Sequence, residues 1–184
     1  MEKQKSVMKK PIFLYVLFLI LLSSCSALDS LQKCPIQSML LTKNDFPDGT
    51  IIEFYSSAVP EMPEISAGFD ATYGYSLMYH EVARFPWQWA AEKEFQEGKN
   101  ISTGSAENNT TWTKPPELTY VSSFFQNYYV VCANSLPAMY QCRMEAQYHE
   151  YYTFFFAYIQ EKGVTLNMFN SFLQKIDSRA KECE

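Results

Sequence analysis

Hydrophobic positions along the chain recur on two periods, and the switches between them mark the elements. Thr50–Tyr55 alternates after the turn signal Asp48-Gly49 and reads as a first strand. Residues 56–69 carry Pro60, Pro63 and Gly68 and read as a loop. Thr72–Arg84 reads as a second strand, with Tyr73, Tyr75, Leu77 and Tyr79 on one face. Pro86 then suits the first position of a helix running through Trp87 and Phe95 to a stop at Gly98. Residues 99–117, rich in Asn, Thr, Ser and Gly, read as a long surface loop. Ser122–Cys132, Met139–Tyr148 and Tyr151–Ile159 form a three-strand antiparallel meander. A long helix follows from its N-cap Thr165 to Cys183, with Leu166, Phe169, Phe172, Leu173, Ile176 and Ala180 on one apolar stripe. Strands gathered together with helices between and after them predict an α+β fold. It has a single antiparallel sheet, packed by the long C-terminal helix and a shorter middle helix.

Side-chain alternation makes the meander specific. Placing Cys132 opposite Cys142 puts Val130 opposite Met144 and Tyr128 opposite Ala146. The next hairpin, turning at His149-Glu150, sets Met144 against Phe155 and Cys142 against Ala157. One face thus collects Val130, Cys132, Met144, Phe155 and Ile159, ready for the C-terminal helix. Pairing Cys132 with Cys142 leaves Cys34 for Cys183, one of three connectivities open to these four cysteines. An even set in an exported chain favours two disulfides bracing the domain.

The opposite face carries Tyr129, Val131, Arg143, Glu145, Gln147, Tyr152, Phe154, Phe156 and Tyr158. A face half charged and half aromatic admits two readings. A covering strand or the 99–117 loop could bury the aromatics, with Arg143 and Glu145 as a rim pair. Alternatively the face is a binding groove, with Tyr129, Arg143, Tyr152, Phe154, Phe156 and Tyr158 as candidate ligand or partner contacts. Trp87 and Trp89 suit core packing better than a ligand platform.

The N-terminus sets the compartment. A lysine-rich start precedes the apolar run Ile12–Leu22, whose eleven residues span about 17 Å as a helix, too short for a bilayer core that needs about 20 residues. Residues 1–24 therefore read as a signal peptide. Removing them takes away four lysines and one glutamate and leaves 11 basic against 19 acidic side chains, a net charge of −8. An acidic chain lacks the basic face that phosphate binding requires, which excludes nucleic acid as partner. Leu22-Ser23-Ser24-Cys25 resembles the lipobox of bacterial lipoproteins. The resemblance implies cleavage before Cys25, acylation of that residue and a membrane-anchored (palmitate-bearing) protein of the cell envelope. With Ser26 following, the outer membrane is implied if the source is Gram-negative. The alternative is plain secretion after cleavage behind Ala27. Residues 25–38 then form a lipidated tether and 39–184 a single domain. The sequons at Asn100, Asn108 and Asn109 read as chance features of a bacterial loop.

Catalytic and metal signatures are missing. The two histidines, His80 and His149, have no ligand companion at metal spacing, and no nucleophile elbow or phosphate loop occurs. Glu81, Glu145 and Asp177 are arbitrary choices as a carboxylate pair. No enzyme activity, cofactor or metal is expected.

Met39-Leu-Leu-Thr-x-x-Asp-Phe-Pro47-Asp-Gly49 resembles the opening of small extracytoplasmic bacterial domains, including the sensor-type domains of mycobacterial serine/threonine kinases. The ending is similar in layout: Cys142, Tyr148, a further strand, and a helix carrying Ile176-Asp177 and Cys183. The resemblance implies a disulfide-braced domain that binds something small. The expected function is a lipid-anchored extracytoplasmic binding or sensor-like module taking a small apolar or carbohydrate ligand. The competing reading is an envelope structural or assembly subunit that docks a protein on the aromatic face.

Overall fold

The computed structural model describes residues 34–59, 62–104, 111–136 and 139–183; Cys25 and the signal-peptide assignment lie outside them. Pro35–Glu184 forms one compact unit. A short helix α1 (Ile36–Met39) and a 3-10 turn (Lys43–Asp45) lead into strands β1 (Ile51–Val59), β2 (Met62–Tyr73) and β3 (Ser76–Arg84). Helix α2 (Gln88–Gly104) connects to β4 (Asn127–Leu136), β5 (Met139–Tyr148) and β6 (Tyr151–Ile159), and α3 (Leu166–Lys181) closes the chain. The six strands form one antiparallel sheet in the order β1-β2-β3-β6-β5-β4. Two meanders are therefore joined where β6 lies against β3. The fold is α+β, as the sequence predicts.

One face of the sheet makes the core. A single cross-strand row runs Phe69, His80, Phe155, Met144 and Val130 through the registers of β2 to β4, and all five are buried. The stripe of α3 lies over it: Phe155 stacks on Phe169 with centroids 5.4 Å apart and meets Phe172 edge-on at 5.8 Å. Fully burying one such side chain contributes about 1.5–3 kcal/mol. Thr165 caps α3 by accepting from Met168 N at 3.3 Å, where the sequence places the cap. The registers Cys132↔Cys142, Met144↔Phe155 and Cys142↔Ala157 are those expected from alternation. Cys132 and Cys142 are joined by a disulfide, and Cys34 and Cys183 are disulfide-bonded as well.

The Leu-Leu-Thr-x-x-Asp segment fastens the N-terminal end onto this core. Leu41 N donates to His80 Nδ1 at 3.3 Å. Thr153 Oγ1 donates to the Glu81 carbonyl and sits 3.1 Å from His80 Nε2, so the imidazole proton resides on Nε2 and donates to Thr153. Asp45 accepts from Thr42 N at 2.7 Å and from Arg179 of α3 at 2.6 Å. Burial alone would push the Asp45 carboxyl up, but the Thr42 bonds and the Arg179 charge outweigh it and hold its pKa below the ordinary value. Asp177, also on α3, accepts from Tyr120 OH, Ser122 Oγ, Ser123 N and Ser123 Oγ. Four donors converge on one buried carboxylate, which explains the residue as a staple for the segment before β4.

The structure corrects several boundaries. Most of residues 56–69 belong to β1 and β2, not to a loop. Gly68 sits inside β2 because its cross-strand partner Tyr55 of β1 occupies the space of a side chain; a Cβ there would come within 2.6 Å of the Tyr55 ring and 2.7 Å of the His80 carbonyl. A hairpin at Gly74-Tyr75 splits the stretch expected as a single strand, so Leu77 and Tyr79 share a face that Tyr73 and Tyr75 do not. The meander begins at Asn127 instead of Ser122, because Ser122 and Ser123 are occupied by Asp177. Residues 36–38, expected in the tether, belong to α1, which buries Ile36 and Met39.

Burial of His80 gives a pH prediction. Full desolvation, with the Arg179 charge adding, lowers its pKa from 6.5 to about 3. The folded state therefore holds it neutral while the unfolded chain protonates below 6.5. Its contribution is complete above that pH and drains away as pH falls toward 3, at up to about 1.4 kcal/mol per pH unit. Asp45, held below the ordinary carboxylate value, gives up its own contribution mostly as pH falls through and below 3.8, largely outside the window from pH 6.5 to 4.5. Urea unfolding across that window should show His80→Gln less stable at pH 7 yet flatter in its pH dependence. Parallel profiles would remove His80 as the source of acid sensitivity.

Candidate functional site

Pairing β3 with β6 builds the second face of the sheet. Two cross-strand rows run over it. The first is Tyr55, Gly68, Glu81, Phe154, Glu145 and Tyr129; the second is Glu53, Asp70, Tyr79, Phe156, Arg143 and Val131. The first row intersperses carboxylates with aromatics, and the second runs from two acids through two aromatics to Arg143. Helix α2 packs over β5 and β6 through Ala91, Phe95 and Gly98, spaced to lie on one helical face. Phe95 meets the Tyr129 ring at 5.6 Å. Between α2 and β3 the sheet stays uncovered and leaves a groove of about 640 Å³.

Leu77, Phe154 and Phe156 give the groove an apolar floor, and Asp70, Glu81, Glu94, Glu97 and Glu145 supply carboxylates. Two tyrosines hold two of these. Tyr79 OH donates to Glu81 Oε2 at 2.5 Å, and Tyr152 OH donates to Glu145 Oε2 at 2.8 Å. Burial first, then the adjacent carboxylates, push both phenols far above the ordinary tyrosine value. They remain protonated donors throughout the physiological range, so they orient the carboxylates without neutralising them.

Glu145 is 2% exposed and not at a rim. Its carboxylate reaches the backbone of α2 at Gly98, where a Cβ would lie 2.8 Å from the carboxyl carbon and 3.1 Å from Oε1. This close approach explains why Gly98 sits within α2 instead of ending it. Arg143 turns its guanidinium over Trp112, 3.9 Å from the ring centroid. Desolvation lowers the Arg143 pKa, opposed by Tyr129, Glu145 and Tyr152. Its Nε is buried with no hydrogen-bond partner.

Of the six residues singled out from sequence, Arg143, Tyr152, Phe154 and Phe156 line the groove. Tyr129 packs under α2, and Tyr158 lies against Phe156 at 4.9 Å instead of in the groove. The aromatics are half-buried and form neither a flat exposed patch nor a closed core. Part of the 99–117 stretch does contribute cover, since α2 extends to Gly104 and Trp112 shields Arg143. Sequence reasoning missed Asp70, Leu77, Tyr79, Glu94, Glu97 and Gly98 as groove residues, and it had Glu81 without a reason. The parity of Leu77, Tyr79 and Glu81 was a readable signal; the neighbour of β3 was not. Trp87, just before α2, and Trp89 on it, both expected in the core, are 64% and 65% exposed; α2 turns Ala91 and Phe95 inward instead. Among the described residues, no group of His, Cys, Asp or Glu is arranged to hold a metal ion.

Gly98 and Glu145 are coupled. Gly→Ala inside a helix ordinarily stabilises by about 0.8–1 kcal/mol. Here Gly98→Ala should destabilise by about 1–3 kcal/mol through overpacking against the buried carboxylate. In a Glu145→Ala background the same change should become neutral or stabilising, giving a clear coupling energy in a double-mutant cycle read by urea unfolding. Stabilisation by Gly98→Ala in the unaltered chain would show that the approach is loose.

No family model and no curated protein sequence matches the chain. Its fold is similar to the crystal structure of the extracellular domain of PknH from Mycobacterium tuberculosis, with a TM-score of 0.52. The likeness covers 83% of this chain and 100% of that domain at 12% sequence identity. The two chains thus share an architecture.

Proposed function

We propose that the protein is a lipid-anchored extracytoplasmic binding module, sensor-like in type, which holds a small ligand in the groove between α2 and β3. The groove carries this reading: about 640 Å³ falls within the roughly 300–1,000 Å³ of small-molecule sites. Its half-buried aromatic floor and tyrosine-oriented carboxylates combine apolar area with few placed polar groups. The similarity to an extracellular domain supports the extracytoplasmic placement. The lipobox-like Leu22–Cys25 and the paired cysteines point the same way. Activity is proposed to be binding alone, without cofactor or metal. The competing reading, an assembly subunit docking a protein on this face, expects a flat exposed aromatic surface; the recessed aromatics favour the small ligand.

Two experiments address separate parts of the proposal. Native mass spectrometry of protein purified gently from its own host should show a co-purified species below about 1 kDa, the size range a site of this volume holds, and Phe154→Ala/Phe156→Ala should lose it. Retention by that variant, or a wild-type chain that carries nothing but captures a partner lost on the same substitution, would overturn the groove reading. Intact mass should also reveal acylation at Cys25 that disappears in Cys25→Ala. An unmodified mature N-terminus at another residue would sink the anchor.

A further inference from the structure

The groove's charge is lopsided in a way that its walls do not correct. Five carboxylates line it against one cation, Arg143, whose guanidinium is engaged by the Trp112 ring. Lys93 reaches Glu97 at 3.5 Å on the outer surface of α2. Among the described residues, no cation pairs with Asp70, Glu81 or Glu94. The acids line one groove: Asp70 and Glu81 stand on the adjacent strands β2 and β3, Glu145 on β5, and Glu94 and Glu97 on α2. A groove with low-dielectric aromatic walls focuses such a field and concentrates counter-ions of opposite sign.

Two kinds of counter-ion could answer it. A metal ion needs several oxygens converging on one point at about 2.0–2.6 Å. The carboxylates are spread along the groove instead, and no described cluster could hold a metal. A sugar brings no charge, and an apolar ligand would bury the carboxylates without compensation, at high cost. An extended cation with a hydrocarbon or aromatic body satisfies both surfaces at once, because aromatic rings also attract cations through their faces.

We propose that the groove binds an organic cation, an ammonium compound whose apolar body lies on Leu77, Phe154 and Phe156 and whose charge sits among Asp70, Glu81 and Glu94. The inference rests on the groove being the ligand site and adds the ligand's chemistry. Oppositely, a carboxylate ligand would have to approach Arg143 past the acids.

Three probes of one shape separate charge from shape: phenethylamine, phenylacetate and 2-phenylethanol, each titrated calorimetrically into the full mature protein at low salt. Phenethylamine should bind at least tenfold more tightly than either of the others, and its affinity should fall as salt rises. Asp70→Asn/Glu81→Gln should weaken the amine tenfold or more while leaving phenylethanol unchanged, with the melting profile confirming the variant folded. Tighter binding of phenylacetate or phenylethanol would overturn the cation while leaving the groove as a site. Failure of all three to bind would also overturn it, and the fate of the groove reading would then follow from the co-purification experiment. Undiminished amine binding in the charge-neutralised variant would place the amine elsewhere.

Discussion

The structure depends on the pairing of β3 with β6. Phe69 and His80 of the first meander and Phe155 and Met144 of the second share one buried row, and α3 lies on it through Phe155. The seam sets His80 beside Phe155 and, one residue on, Glu81 beside Phe154. A slip of one residue would invert every side chain of β3 relative to β6. It would send His80 into solvent and Glu81 into the core. The two buried polar anchors of the seam, His80 and Thr153, therefore act as a register pin: their mutual bond, together with those to Leu41 N and the Glu81 carbonyl, can be satisfied in only one alignment.

The same seam divides two sheet faces of different character. On one face, aromatic rings interlock through Phe46, Phe69, Phe155, Phe169 and Phe172 at centroid distances of 5.1–5.8 Å. On the other, aromatics and carboxylates are interspersed, and α2 covers only part of them. Groups with opposite solvation needs coexist there because each buried acid has a tyrosine donor and each aromatic keeps one edge against the helix or its neighbour. Gly98 marks the compromise, since the helix gives up a side chain so that Glu145 can be buried against it.

Much of this was legible along the chain, and the legible parts share a cause. Cys132 and Cys142, Met144 and Phe155, and Thr165 as N-cap are all set by neighbours within one hairpin or one helical turn. Local geometry relates those residues directly, so alternation and spacing suffice. Gly68 was misleading because glycine in a loop and glycine under a cross-strand tyrosine look alike until the partner is known. Trp87 and Trp89 misled for a similar reason: hydrophobicity says that a residue gains by burial, while the helix's rotation decides which residues receive it.

The chain by itself determined the elements of its C-terminal half, their registers and its acidic balance. Each follows from covalent spacing or from summed charge. The tertiary structure alone decided that Asp70, Tyr79 and Glu81 would meet Phe154, Phe156 and Arg143, and that α2 would stop short of covering them. Those residues stand on strands about 75 positions apart in sequence, and long-range pairing is selected by the whole core's packing, not by any local pattern. The groove is thus a product of the seam, written in residues whose individual positions carry no sign of it.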